Sequence, residues 1–205
     1  MPKHRRLFAV VPAAGRSERM GRPKLLLALG GETVIAHLLN LLDRDDVTAR
    51  FVVLRADDDP LRTEVAATAA TIVQPWIAPA DMRKSVEHAL DEIRRQHSPD
   101  PDDGWLLLPA DHPMLEPGVL DVLIRRWNEH DDRILVPTHG GRRGHPTFFR
   151  WELAGEVPQI PPSQGLNELL ETHRSEVVEF AIDDPAVVTD LDTPDDYEAL
   201  VRRWS

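Results

Sequence analysis

The chain has 205 residues, 41% of them hydrophobic and 29% charged. That is enough apolar material to bury a core and too much for a disordered chain. Lys and Arg total 24 against 35 Asp and Glu, a net charge of −11. Such a balance argues against nucleic-acid binding, which needs a basic footprint. The absence of cysteine excludes disulfides, thiolate metal centres and a cysteine nucleophile, and fits a cytoplasmic protein.

The apolar run at residues 7–11 reads as a buried strand. Its Pro12 and the charged Arg16-Ser17-Glu18-Arg19 that follows argue against a signal peptide. A polar loop with Gly15 and Gly21 runs on to Lys24. Residues 33–42 read as a helix with Thr33 as N-cap, and 51–54 as a second strand. A helix over 60–70 starts with a proline in its first turn. Residues 71–73 form a short strand. Residues 82–96 have helical spacing through Val86, Ala89, Leu90 and Ile93. A compact strand at 105–108 precedes a helix over 117–129, then a strand at 134–137. Strands at 145–149, 177–180 and 187–189, a helix over 166–173 and a last helix from Pro194 complete the chain. No apolar run approaches the ~20 residues of a membrane span, so no membrane contact is expected.

Alternating strands and helices predict an α/β, Rossmann-like fold. The sheet is mainly parallel and twisted, with helices on both faces, in a single domain over residues 1–205. Ligands of such sheets bind beyond the carboxyl ends of the strands. The turns after Val11, Leu108 and Thr189 are the places to look. The first 24 residues carry seven cations against the single acid Glu18, which suits a small anion. Gly15 and Gly21 permit tight turns, and Ser17 and backbone N–H groups can bind phosphate oxygens. Arg19 and Lys24 add charge. Neither the dinucleotide glycine fingerprint nor the Walker A spacing is present. Asp111 follows the 105–108 strand, where a carboxylate can hold a hard cation such as Mg²⁺. A second acidic cluster runs from Asp190 to Asp196.

The stretch Ala13-Ala14-Gly15-Arg16-Ser17-Glu18-Arg19-Met20-Gly21-Arg22-Pro23-Lys24 resembles the nucleotide-binding signature of the MobA-like nucleotidyltransferases. The resemblance implies that Arg19, Lys24 and Asp111 carry catalysis. It implies that Ala13, Ala14, Gly15, Arg16, Ser17, Lys24 and Ser85 bind the nucleoside triphosphate. Asp111 and Asp190 would hold Mg²⁺ or Mn²⁺, with Asp192 and Asp195 left as capping residues. Gly141-Arg142-Arg143-Gly144-His145-Pro146 is similar to a segment of the molybdenum cofactor cytidylyltransferase branch. It implies that Arg143 and His145 bind a phosphorylated pterin-type acceptor, and that a molybdoenzyme receives the product.

One loop departs from the pattern. Arg83 and Lys84 stand where relatives carry small residues, which bears on nucleotide choice. Ala14 before Gly15 favours CTP over GTP. Pro12 is shared with the methylerythritol phosphate cytidylyltransferases, an alternative of the same fold. A nucleotide-dependent cofactor carrier without turnover is an alternative of another class.

Overall fold

The computed structural model describes residues 5–204, with side chains through Arg202. Ten strands and six α-helices are present among them: β1 (Leu7–Pro12), β2 (Ala28–Leu29), β3 (Glu32–Thr33), α1 (Val34–Leu41), β4 (Ala49–Val53), α2 (Asp59–Ala66), β5 (Thr71–Val73), α3 (Met82–His97), β6 (Gly104–Leu107), α4 (Pro117–Glu129), β7 (Ile134–His139), β8 (Arg142–Arg143), β9 (Thr147–Arg150), α5 (Asn167–Thr172), β10 (Val177–Ala181) and α6 (Pro194–Trp204). The main sheet runs β10-β7-β9-β6-β1-β4-β5, with β8 beside β7. Strands β5, β4, β1 and β6 are parallel neighbours, as are β7 and β10. Strand β9 is antiparallel to both β6 and β7.

Strand β1 is buried on both faces, which accounts for its unbroken apolar run. Leu7, Ala9 and Val11 face one core with α1, α2, α4 and Leu200 of α6. Phe8 and Val10 face the other with α3, α5 and the 3₁₀ segments after β9. The stacked rings of Trp105 and Phe149, 4.3 Å apart, bind β6 to its antiparallel neighbour. Thr33 caps α1, accepting from the Ala36 N–H, and Asp81 caps α3 through the Lys84 N–H.

The segment expected as a strand at 187–189 is a 3₁₀ helix, Pro185–Val188. Asp184 caps it by accepting from the Ala186 N–H at 2.8 Å. Proline in the first turn after a capping Asp is a helix-start signal, and it outweighs the β-branched pair Val187-Val188. No helix among the described residues is long and apolar enough to cross a membrane.

The register of the parallel strands positions the site. Val10 lies level with Phe51 on β4 and Leu107 on β6, so the loops after β1, β4 and β6 leave the sheet along one edge. Backbone bonds tie them together there. Ala13 N–H donates to the Val53 carbonyl at 2.9 Å, Leu108 N–H to Val10 at 3.0 Å, and Leu191 N–H to Asp111 at 2.7 Å.

Candidate active site

The loop after β1 folds on itself. Ser17 takes a left-handed backbone conformation, φ 54°, and its carbonyl accepts from the N–H groups of Met20 and Gly21. Ser17 Oγ accepts from the Lys24 N–H at 3.2 Å. That bond delivers Lys24 to the strand-end acids. Lys24 Nζ donates to Asp111 Oδ2 at 2.9 Å and to Asp192 Oδ1 at 3.0 Å. Arg19 reaches the other oxygen of Asp192 at 2.7 Å. The Lys24 side chain is 12% exposed and that of Asp192 16%, so their pair is largely shielded from water. Burial alone would raise the Asp111 carboxyl. A hydrogen bond from His112 and the charge of Lys24 outweigh it and hold Asp111 well below the usual carboxylate range.

The cluster stands at the wall of a cavity of about 490 Å³. Ala13 to Arg19, Lys24, Arg55, Ala78 to Ala80, Ala110, Asp111 and Asp192 line it. A smaller compartment of about 230 Å³ adjoins it, bounded by Pro12, Ala14, Pro79, Asp81, Met82, Ser85 and Pro109. Arg83 and Lys84 do not line either space. Both turn to Glu87, at 3.5 and 2.8 Å.

The structure brings together Ala13, Ala14, Gly15, Arg16, Ser17, Arg19, Lys24, Ser85 and Asp111. Three expected site residues lie elsewhere. Asp190 is exposed and makes no ion pair among the described residues, whereas Asp192 meets Lys24 and Arg19. The capping work assigned to Asp192 falls to a reciprocal box. Thr193 Oγ1 accepts from the Asp196 N–H at 3.3 Å, and Asp196 Oδ2 accepts from the Thr193 N–H at 2.7 Å. A Thr followed three residues later by an acid was the readable signal that Asp192 was free.

Arg143, on the β7–β8 hairpin, pairs with Glu179 at 2.8 Å and lies 3.7 Å from Glu171. It is absent from both cavity walls, because its strand pairs with β7 and not with the strands that carry the loop. His145 is also absent from them. Its ring lies edge-on to His112, centroids 4.8 Å apart, and His112 Nδ1 is 3.2 Å from Asp111 Oδ1. His145 thus reaches the acid from behind, through His112. Burial and the neighbouring His112 push its imidazole down to about 4, which keeps it neutral.

The donor set suits a hard cation. Two carboxylates converge on one point of positive charge, and Asp111 is kept ionised. Among the described residues no cluster of three or more His, Asp or Glu could hold a metal alone. A cation there would complete its shell with water and substrate phosphate oxygens, as Mg²⁺ does.

The MobA-like NTP transferase domain matches residues 9–177. The chain belongs to that family. It is 24% identical to the molybdenum cofactor cytidylyltransferase of Escherichia coli K12 over 199 residues, 96% of each chain. It is 30% identical over 136 residues to a 2-C-methyl-D-erythritol 4-phosphate cytidylyltransferase of Actinobacillus pleuropneumoniae serotype 7. That match covers 65% of this chain and spans 57% of the relative's length. Among solved structures, Rv0371c of Mycobacterium tuberculosis H37Rv superimposes with a TM-score of 0.79 at 28% identity, over 98% of this chain and 100% of that one. A manganese complex of Rv0371c superimposes with a TM-score of 0.74 at 26% identity, over 96% of this chain and 98% of that one.

Proposed function

We propose that the chain, as a single catalytic domain, transfers CMP from CTP to the phosphate of a molybdopterin-type acceptor. Lys24 held between Asp111 and Asp192 at the wall of the loop-lined cavity carries this reading. An acceptor phosphate oxygen attacks the α-phosphorus. The bond from that phosphorus to the bridging oxygen breaks, and pyrophosphate leaves with the electron pair. Lys24 and Arg19 neutralise charge on the triphosphate as the bond breaks, and the loop N–H groups hold its oxygens. Asp111 and Asp192 would hold Mg²⁺ or Mn²⁺, which supplies charge neutralisation and in-line alignment of the phosphates.

The smaller compartment takes the nucleoside. Ala14 borders it and narrows it beside the base, and Ser85 forms part of its wall. With Arg83 and Lys84 turned to Glu87, no cation crowds that space. A pyrimidine is favoured there, by at least about tenfold in kcat/KM for CTP over GTP. Ala14→Gly should reduce that preference and leave turnover in place. Equal use of GTP by the parent chain would count against the assignment of Ala14.

The molybdopterin-type acceptor is favoured by the relative matched along 96% of both chains. A methylerythritol phosphate acceptor is the second reading, favoured by the higher identity over the shorter match. On the first reading the product passes to a molybdoenzyme. Pyrophosphate release with each of the four nucleoside triphosphates, with Mg²⁺ and with excess EDTA, tests the chemistry. Release that needs acceptor and metal supports it. Nucleotide binding without release would instead identify a carrier.

A further inference from the structure

The loop that the motif singles out is held from outside by a residue no motif contains. Arg55 follows β4, at the strand end beside the start of the loop. Its guanidinium NH1 donates to the carbonyls of Ala14 and Gly15, at 3.2 and 2.7 Å. Its Nε donates to Asp57 at 3.0 Å and its NH2 to Asp58 at 2.8 Å. Four of the five guanidinium hydrogens are thereby used within the protein.

Arg55 is itself fixed from two sides. Gln74, just past β5, donates to the Arg55 carbonyl at 2.7 Å. Asp58 also caps α2, accepting from the Leu61 N–H at 3.3 Å. The Arg55 side chain is 14% exposed. The loop is thus bolted to a helix N-terminus and two strand ends.

The consequence follows from peptide geometry. A trans peptide points its C=O and N–H in opposite directions. With the carbonyls of Ala14 and Gly15 drawn onto Arg55, the N–H groups of Gly15 and Arg16 are turned away from it. Among the described residues, no protein acceptor takes the N–H of Ala14, Gly15, Arg16 or Ser17. Successive free N–H groups of this kind form an anion nest.

We infer that Arg55 is a positioning residue for the nucleoside triphosphate: it pins the loop carbonyls so that the loop N–H donors are pre-set for the phosphate chain. It acts through the loop, because its own donors are already committed. The inference rests on the transferase reading and deepens it, since it assigns the order of the phosphate site to a residue from the neighbouring strand. Loss of the clamp leaves a Gly-containing loop free to turn its carbonyls toward the phosphates, which repels them. The effect falls on triphosphate affinity, and the acceptor is untouched.

The test is CTP binding by calorimetry together with steady-state kinetics for the parent chain, Arg55→Ala and Arg55→Lys. Val65→Ala, a buried change in α2, serves as the control for lost stability alone. Arg55→Ala should weaken CTP binding at least about tenfold, the scale of losing charge-assisted hydrogen bonds. Its KM for acceptor should stay within about twofold, and low-millimolar guanidinium should restore part of the CTP affinity. Arg55→Lys should fall between, since one ammonium lacks the fork that serves two carbonyls. Val65→Ala should leave CTP binding unchanged. A folded Arg55→Ala chain that binds CTP as the parent does overturns the clamp. If Arg55→Ala does not fold, a parent-like KM for CTP in Arg55→Lys overturns it. A parent chain that binds no nucleoside triphosphate refutes instead the transferase reading beneath it.

Discussion

Replacing Lys24 with Met keeps the aliphatic stem and removes the one cation shared by Asp111 and Asp192. Each carboxylate lies about 3 Å from the same nitrogen, so the two oxygens are within roughly 6 Å of each other. Unscreened by Lys24, two such charges repel by about 3 kcal/mol at an effective dielectric constant of ~20. Arg19 still pairs with Asp192, which trims the figure to about 1–3 kcal/mol. In a chain of this length that lowers Tm by roughly 3–10 °C. Millimolar Mg²⁺ should recover part of the loss, because a divalent cation can take the position between the two acids. Turnover should fall by about 10²-fold or more, the usual cost of removing one preorganised charge from a phosphoryl-type transition state. The assay pairs a thermal melt with and without Mg²⁺ with pyrophosphate release. A Lys24→Met chain with parent-like Tm and turnover refutes this role of Lys24.

The two acids of the second cluster should separate cleanly: Asp192→Asn lowers turnover at least about tenfold and raises the Mg²⁺ requirement, while Asp190→Asn changes neither, as metal titrations of activity would show. Gly144→Ala should cost about 2 kcal/mol or more in urea unfolding, since its Cβ would sit 2.0 Å from the Val187 carbonyl oxygen, backbone that cannot move aside. His173 gives a pH-dependent contribution. Burial would lower its imidazole, but hydrogen bonds to Glu156 and Glu176 outweigh that and raise it. A raised folded value means stability that is fully present below the unfolded value of about 6.5 and lost as pH rises through the folded one. His173→Gln should therefore destabilise more at about pH 5.5 than at about pH 9, read from melts at the two pH values.

The parts of the site that lie within one segment were legible in the sequence. The Gly loop, Lys24 and Asp111 each follow a buried strand, and the strand pattern alone places them at one edge of the sheet. Between Asp190 and Asp192 the sequence carries a local signal, the Thr193–Asp196 box, which takes the capping role and leaves Asp192 to meet Lys24. Arg55 was out of reach of pattern reading, because its role depends on parallel register. Only the pairing of β1 with β4 sets it against the carbonyls of Ala14 and Gly15. The glycine- and arginine-rich hairpin reads differently in the sequence and in the fold, which sets Arg143 and His145 outside both cavity walls. Its residues are of types that bind anions, yet Arg143 pairs with Glu179 of β10, across the intervening strand β7. His145 is packed behind the acid rather than in front of it. A strand assignment from Val187-Val188 failed for a local reason: Asp184 and Pro185, three and two residues before Val187, set the backbone first.

The proposed reaction is the transfer of a nucleotide to a phosphorylated acceptor at the Lys24–Asp111–Asp192 cluster. Mass spectrometry of a reaction containing CTP, Mg²⁺ and two competing acceptors, a molybdopterin-type cofactor and 2-C-methyl-D-erythritol 4-phosphate, tests it most directly. The expected products are a CMP adduct of the pterin cofactor and one pyrophosphate per adduct, both formed about 10²-fold or more slowly with Lys24→Met in place of the parent chain. A CMP adduct of the sugar phosphate alone would contradict the acceptor assignment, and CTP left intact with both acceptors present would contradict the transfer itself.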